Sequence, residues 1–112
     1  MGRLTTHGLD TAAGRPAADV RVVLRRDGKV LADVRTNADG RVSQPLLDGA
    51  ACKPGGYELT FHIGDYFRGH GTALAEPAFL DLIPLHFAIT EDAHYHVPLL
   101  VSPYGYSTCR ES

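Results

Sequence analysis

Much of this chain alternates apolar and polar residues with a period of two, the repeat that turns one face of a β-strand to a core and the other outward. Residues 57–63 show it most cleanly, with Tyr57, Leu59, Phe61 and Ile63 on one side. Residues 83–89 alternate again, and Pro84 near their start predicts an edge strand or a strand beginning. Residues 20–25 are rich in β-branched side chains and end at an Asp27-Gly28 turn. Residues 29–36 follow, with Val30, Ala32 and Val34 on one face. Residues 4–9 form a short first strand, closed by a loop over residues 10–16. Asn37-Ala38-Asp39-Gly40 is a turn that delivers Arg41 at the start of another short strand. The glycines at 64 and 71 bracket Asp65-Tyr66-Phe67-Arg68, which reads as one or two helical turns. The tail supplies two final strands joined by a Ser-Pro-Tyr-Gly turn at residues 102–105. Seven or eight short strands at this spacing predict an all-β, two-sheet antiparallel sandwich, a single domain over residues 1–112.

Composition narrows the functional classes. The chain is 44% hydrophobic and 21% charged, as expected of an ordinary globular domain with a real core. A net charge of −2, with basic residues scattered, argues against a nucleic-acid partner. No stretch approaches the roughly 18 apolar residues of a membrane span, so no membrane partner is expected. The first residues lack a long apolar secretory segment. They do fit a loose Met-Gly-x-x-x-Thr acylation pattern, set aside because Leu4 already begins a strand. Two cysteines, Cys52 and Cys109, are too few for a disulfide framework and lack zinc-ligand spacing, so a cytoplasmic protein with reduced thiols is the plain expectation.

Candidate chemistry gathers on the histidines, the side chains that titrate near neutral pH. His62 and His86 lie inside alternating strands and read as ordinary sheet residues, and His70 sits in a glycine-rich loop. His7, His94 and His96 each lie on a strand beside polar neighbours. His94 and His96, two apart, project from one strand face, with Tyr95 and Val97 on the other. Such a pair can chelate a metal, but no Cys, Asp or third His lies at short spacing, so no metal is expected. Arg41, following a tight turn, can aim its guanidinium at an anion or carbonyl. No Ser-His-Asp order, phosphate loop or nucleophilic cysteine motif is present.

Three segments carry a resemblance that goes further. Leu4-Thr5-Thr6-His7 with Leu9-Asp10, Thr36-Asn37-Ala38-Asp39-Gly40-Arg41, and residues 94–108 resemble the N-terminal strand, arginine turn and C-terminal signature of the transthyretin-related family of 5-hydroxyisourate hydrolases. Gly64-Asp65-Tyr66-Phe67 resembles the family's short helix. The resemblance implies a transthyretin-like (prealbumin-like) sandwich of two four-stranded sheets with one short helix. It implies a homotetramer, a dimer of dimers with sites in a central channel, acting on a small-molecule substrate without a cofactor. The implied reaction is hydrolysis of a cyclic amide in urate degradation. By the same resemblance the catalytic residues are His7, Arg41 and His96. His96 takes a proton from water, His7 positions the water or shares the proton, and Arg41 stabilises developing negative charge. Ser112, Arg110 and Cys109 would contact substrate.

The chain departs from the family pattern at its end. The hydrolases finish Tyr-Arg-Gly-Ser, whereas here Cys109-Arg110-Glu111-Ser112 stand. Loss of the ring predicts a wider, less polar pocket, and Glu111 adds negative charge to it. Gly8 replaces a bulky aliphatic residue, predicting looser packing behind His7. These changes keep a second reading in view, a non-catalytic transthyretin-like channel for a small hydrophobic ligand.

Overall fold

The structure, a computed structural model, describes residues 2–111. Nine strands, one α-helix and one 3-10 turn follow in chain order. The strands are β1 (Arg3–Asp10), β2 (Arg15–Pro16), β3 (Arg21–Arg26), β4 (Lys29–Arg35), β5 (Leu47–Asp48), β6 (Gly55–His62), β7 (Leu82–Ile89), β8 (His94–Ser102) and β9 (Gly105–Thr108). The helix, α1 (Ile63–Gly69), follows β6 directly. One sheet runs β2-β1-β8-β9 with β5 paired to β1, and the other runs β4-β3-β6-β7.

The alternation at residues 57–63 does what it predicts. Tyr57, Leu59 and Phe61 turn inward against Leu4, Val22, Leu24, Ile83, Leu99 and Val101, all buried. Each fully buried aliphatic or aromatic side chain of this kind contributes roughly 1.5–3 kcal/mol relative to exposure. Two faces, one from each sheet, thus close a single core. Pro84 lies on β7, an edge strand of its sheet within the described residues, where a missing N–H costs little.

Four local expectations need correction. Ile63 ends no strand, because it opens α1 with its side chain still in the core. Residues 10–16 are not all loop, since β2 pairs Leu9 with Pro16 and Asp10 with Arg15. With β5 added, the first sheet has five strands rather than four. Arg41 begins no strand and makes one isolated antiparallel bridge, to His7.

One pairing positions the site. β1 and β8 run parallel, the single parallel strand pairing among the described residues of an otherwise antiparallel sandwich. Their register sets Leu4 against Tyr95, Thr5 against His96 and Thr6 against Val97. Leu4, Thr6, Tyr95 and Val97 therefore face the core, while Thr5, His7, His94 and His96 share the outer face. Buried Asp10 fixes the end of β1. Its Oδ1 accepts the N–H groups of Ala12 and Ala13 at 3.0 Å, and its Oδ2 accepts the Tyr66 hydroxyl of α1 at 2.7 Å.

Candidate active site

Local turn chemistry brings the arginine to the histidines. Asn37 Oδ1 accepts the backbone N–H of Asp39 at 2.9 Å and of Arg41 at 3.2 Å, which folds residues 37–41 back on themselves. Gly40 adopts φ 73°, a conformation that favours glycine. A side chain there would strike the Gly8 carbonyl oxygen and come within 3.1 Å of Pro16 Cβ. The turn can therefore lie flat on β1, where Gly8 N–H donates to Gly40 O at 2.8 Å and Arg41 bridges His7. The expectation of loose packing behind His7 is not met. A Cβ at Gly8 would lie 3.3 Å from Ala17 Cβ, so Ala17 occupies the space an aliphatic residue would fill.

His96 is the best-held side chain on this face. Its Nδ1 lies 2.7 Å from Thr5 Oγ1 and its Nε2 lies 2.6 Å from His7 Nδ1. The His7 and His96 rings stack with centroids 4.8 Å apart. Thr5 Oγ1 also lies 2.8 Å from Nε2 of exposed His94. The tail closes the site from one side. His96 and Glu111 exchange both backbone hydrogen bonds at 2.8 Å, continuing the β8–β9 register past Thr108. That register sets Cys109 opposite Pro98, which has no N–H to give, so the ladder lapses there and resumes at Glu111.

Both central imidazoles are held below their ordinary pKa. For His7 the largest cause is burial, then the charge of Arg41, with Glu111 pulling the other way. For His96 burial again leads, then His7, with Arg41 and His94 adding and Glu111 opposing. Near pH 7 both rings are neutral, so the 3.9 Å approach of Glu111 Oε1 to His96 Nε2 is not an ion pair there. The result is a close pair of neutral bases beside a permanent cation. Such a group suits deprotonating water and stabilising an oxyanion.

Thr5, Thr6, Arg41, Val42, His94, His96 and Glu111 line an open cleft of about 360 Å³, with His7 stacked behind His96. The structure thus gathers His7, Arg41 and His96. Arg110 goes elsewhere, its guanidinium 4.2 Å above the Tyr95 ring and 3.8 Å from Glu91 Oε1. Cys109 is exposed, its Sγ 3.8 Å from Glu111 Oε2, and it borders a separate groove with Pro84, Phe87 and Tyr106. Ser112 lies outside the described residues. Sequence reasoning missed Thr5, whose only signal is its position two residues before His7 on a common strand face. Among the described residues, no three His, Cys, Asp or Glu side chains are arranged to hold a metal ion, and no helix is long and apolar enough to cross a membrane.

Residues 4–111 match the HIUase/Transthyretin family. The chain is 58% identical to 5-hydroxyisourate hydrolase 2 of Rhizobium meliloti strain 1021, over 99% of this chain and 97% of that one. Among solved structures, the 5-hydroxyisourate hydrolase of Klebsiella pneumoniae superposes with a TM-score of 0.86 at 38% identity, each chain covered in full. The structure of (S)-allantoin synthase gives a TM-score of 0.95 at 45% identity, and there this chain spans 99% of its own length but 44% of the synthase. With the family match spanning residues 4–111 and full-length relatives agreeing in sequence and fold, the chain belongs to the HIUase/Transthyretin family.

Proposed function

We propose that this protein hydrolyses 5-hydroxyisourate, opening its cyclic amide to 2-oxo-4-hydroxy-4-carboxy-5-ureidoimidazoline in urate degradation. The observation that carries the reading is the His7–His96 pair, 2.6 Å apart, with both pKa values lowered by burial and by the charge of Arg41. Both nitrogens of His96 are engaged, one with Thr5 and one with His7. The nitrogen left to meet water is His7 Nε2, which has no hydrogen-bond partner among the described residues. We therefore reverse the expected order: His7 takes the proton, and His96 fixes its tautomer and shares the charge. A charge on His7 lowers the pKa of His96. Arg41 lines the cleft together with His96 and stabilises the oxyanion formed as water adds to the carbonyl carbon.

The tail acts mainly through Glu111. Arg110, anchored on Tyr95, holds the segment so that Glu111 pairs with the His96 backbone. Cys109 lies beside Glu111 but on the separate groove, and Ser112 is assigned to substrate orientation, which its deletion tests. Glu111 moderates the field of Arg41 on both rings, so the departure from the family's tail tunes the site without emptying it. A hydrophobic channel binder has no use for a neutral imidazole pair beside a guanidinium.

The active form is taken to be a homotetramer. β7 and β9 end their sheets, and exposed Leu82 and Tyr106 lie along them, a surface suited to a second copy. We place the protein in the cytoplasm, with Cys52 and Cys109 as free thiols. The decisive experiment generates 5-hydroxyisourate in situ with urate oxidase and follows its ultraviolet absorbance. Decay accelerated by the wild type and not by His96→Ala supports the hydrolase. Equal decay with and without wild-type protein overturns it.

A further inference from the structure

The base and the arginine leave a hydrogen-bonded chain unexplained. It runs from His7 Nδ1 to His96 Nε2 at 2.6 Å, from His96 Nδ1 to Thr5 Oγ1 at 2.7 Å, and from Thr5 Oγ1 to His94 Nε2 at 2.8 Å. Its inner end lies on half-buried His7 and its outer end on His94, which is exposed. Nothing in the packing of the sheet requires Thr5 to meet both histidines. Its neighbour Thr6 satisfies its own hydroxyl on the core face, at Val97 O.

We propose that Thr5 is a positioning residue that couples the His96 tautomer to His94, and that with His94 it forms a relay carrying the reaction's proton from the buried imidazole pair to solvent. The inference rests on the hydrolase reading. A hydroxyl has one hydrogen to give, so Thr5 can donate to one imidazole only while accepting from the other. In the resting direction Thr5 O–H donates to His94 Nε2, His96 Nδ1–H donates to Thr5, and His7 Nδ1–H donates to His96 Nε2. His7 Nε2 then carries a lone pair, as a base requires. With every bond reversed, His7 Nε2 carries a hydrogen, as an acid requires. The direction of the whole chain sets whether His7 accepts or donates.

The stoichiometry of ring opening calls for such a path. Water forms a C–O bond to the carbonyl carbon and the C–N bond breaks. One of water's protons ends on the departing nitrogen, and the other is released when the new carboxyl group ionises. If that proton stayed on His7 or His96 it would leave a cation beside Arg41, in a site where burial already disfavours charge. Glu111, the other charged group facing the pair, is 3.9 Å from His96 Nε2, too far for a hydrogen bond. Passing the proton through Thr5 to His94 moves the charge to an exposed ring.

Thr5→Val keeps the shape and removes the hydroxyl, while Thr5→Ser keeps the hydroxyl. The first readout needs no substrate: nitrogen-15 spectra of the imidazoles during titration of His94. The relay predicts that protonating His94 switches the His96 tautomer in wild type and Thr5→Ser, and leaves only a small through-space shift in Thr5→Val. The second is steady-state hydrolysis. Thr5→Val should lower kcat by about tenfold to a hundredfold with KM nearly constant, part of the ~10²–10⁴ that general acid–base catalysis supplies. Thr5→Ser should recover most of that loss. His94→Ala should lose kcat and regain it as imidazole buffer is added. His96 resonances that respond to His94 equally in Thr5→Val would overturn the relay. So would wild-type kcat in that variant, or a His94→Ala rate indifferent to imidazole. A wild type that does not hydrolyse 5-hydroxyisourate sinks the hydrolase reading, and the spectra still decide the relay.

Discussion

The two faces of the β1–β8 pair are built from the same backbone and do opposite things. Inward, Leu4, Thr6, Tyr95, Val97, Leu99 and Val101 are buried, and the two polar groups among them are satisfied. Outward, Thr5, His7, His94 and His96 trade hydrogen bonds along a line that ends in solvent. The comparison teaches that a period of two lets one strand pair serve as core and as chemistry, with each set of side chains replaceable without the other. Substitutions on the outer face should therefore move rates, and those on the inner face should move stability.

The sharpest break of that division is His96→Ala. It should reduce kcat/KM by ~10²–10⁴ while the melting temperature stays close to wild type, checked by the absorbance assay and thermal circular dichroism. Loss of folded protein in this variant would make His96 structural. Arg41→Ala comes next, costing on the order of a hundredfold in kcat, because it removes the cation without touching the core. On the inner face, Leu99→Ala should destabilise by about 2–5 kcal/mol in urea unfolding, while the folded fraction keeps its kcat.

A pH series sharpens the comparison further. His7 and His96 sit below their ordinary value of 6.5 when folded, so the unfolded chain binds protons first as pH falls. Stability contributed at neutral pH should decline as pH falls through about 6.5 and level off below the folded values. The acid limb of the rate profile should lie lower than for an ordinary histidine. The smallest effect belongs to Glu111→Gly. Glu111 raises both pKa values, so removing it should shift that limb to still lower pH and change kcat by about threefold or less. A shift to higher pH would show that the carboxylate acts through contacts other than its charge.

Much of this was legible in the residues. Alternation over residues 57–63 and 83–89, and turn chemistry at Asp27-Gly28 and Asn37-Gly40, specify strands and connections locally, and they form as read except that Ile63 opens α1 and Arg41 makes only an isolated bridge. What was not legible depends on contacts far apart in sequence. The parallel pairing of β1 with β8 leaves no local trace, so neither the meeting of Thr5 with His94 and His96 nor the return of Glu111 to the His96 backbone follows from spacing. Two-residue strands such as β2 and β5 are too short to show any period. The place of Arg110 was not legible for a related reason. The direction of a side chain on an irregular tail depends on what lies beneath it, here the Tyr95 ring.

His7 and His96 are separated by 89 positions along the chain, yet lie side by side. Bringing them together is a late event in the life of each molecule, because the loop it closes includes the whole second sheet and its strands must first find one another. A molecule in which β1 has not found β8 has no imidazole pair, and His96 has not met Glu111. Catalytic competence is therefore a report on long-range folding: a molecule that turns over substrate has paired β1 with β8.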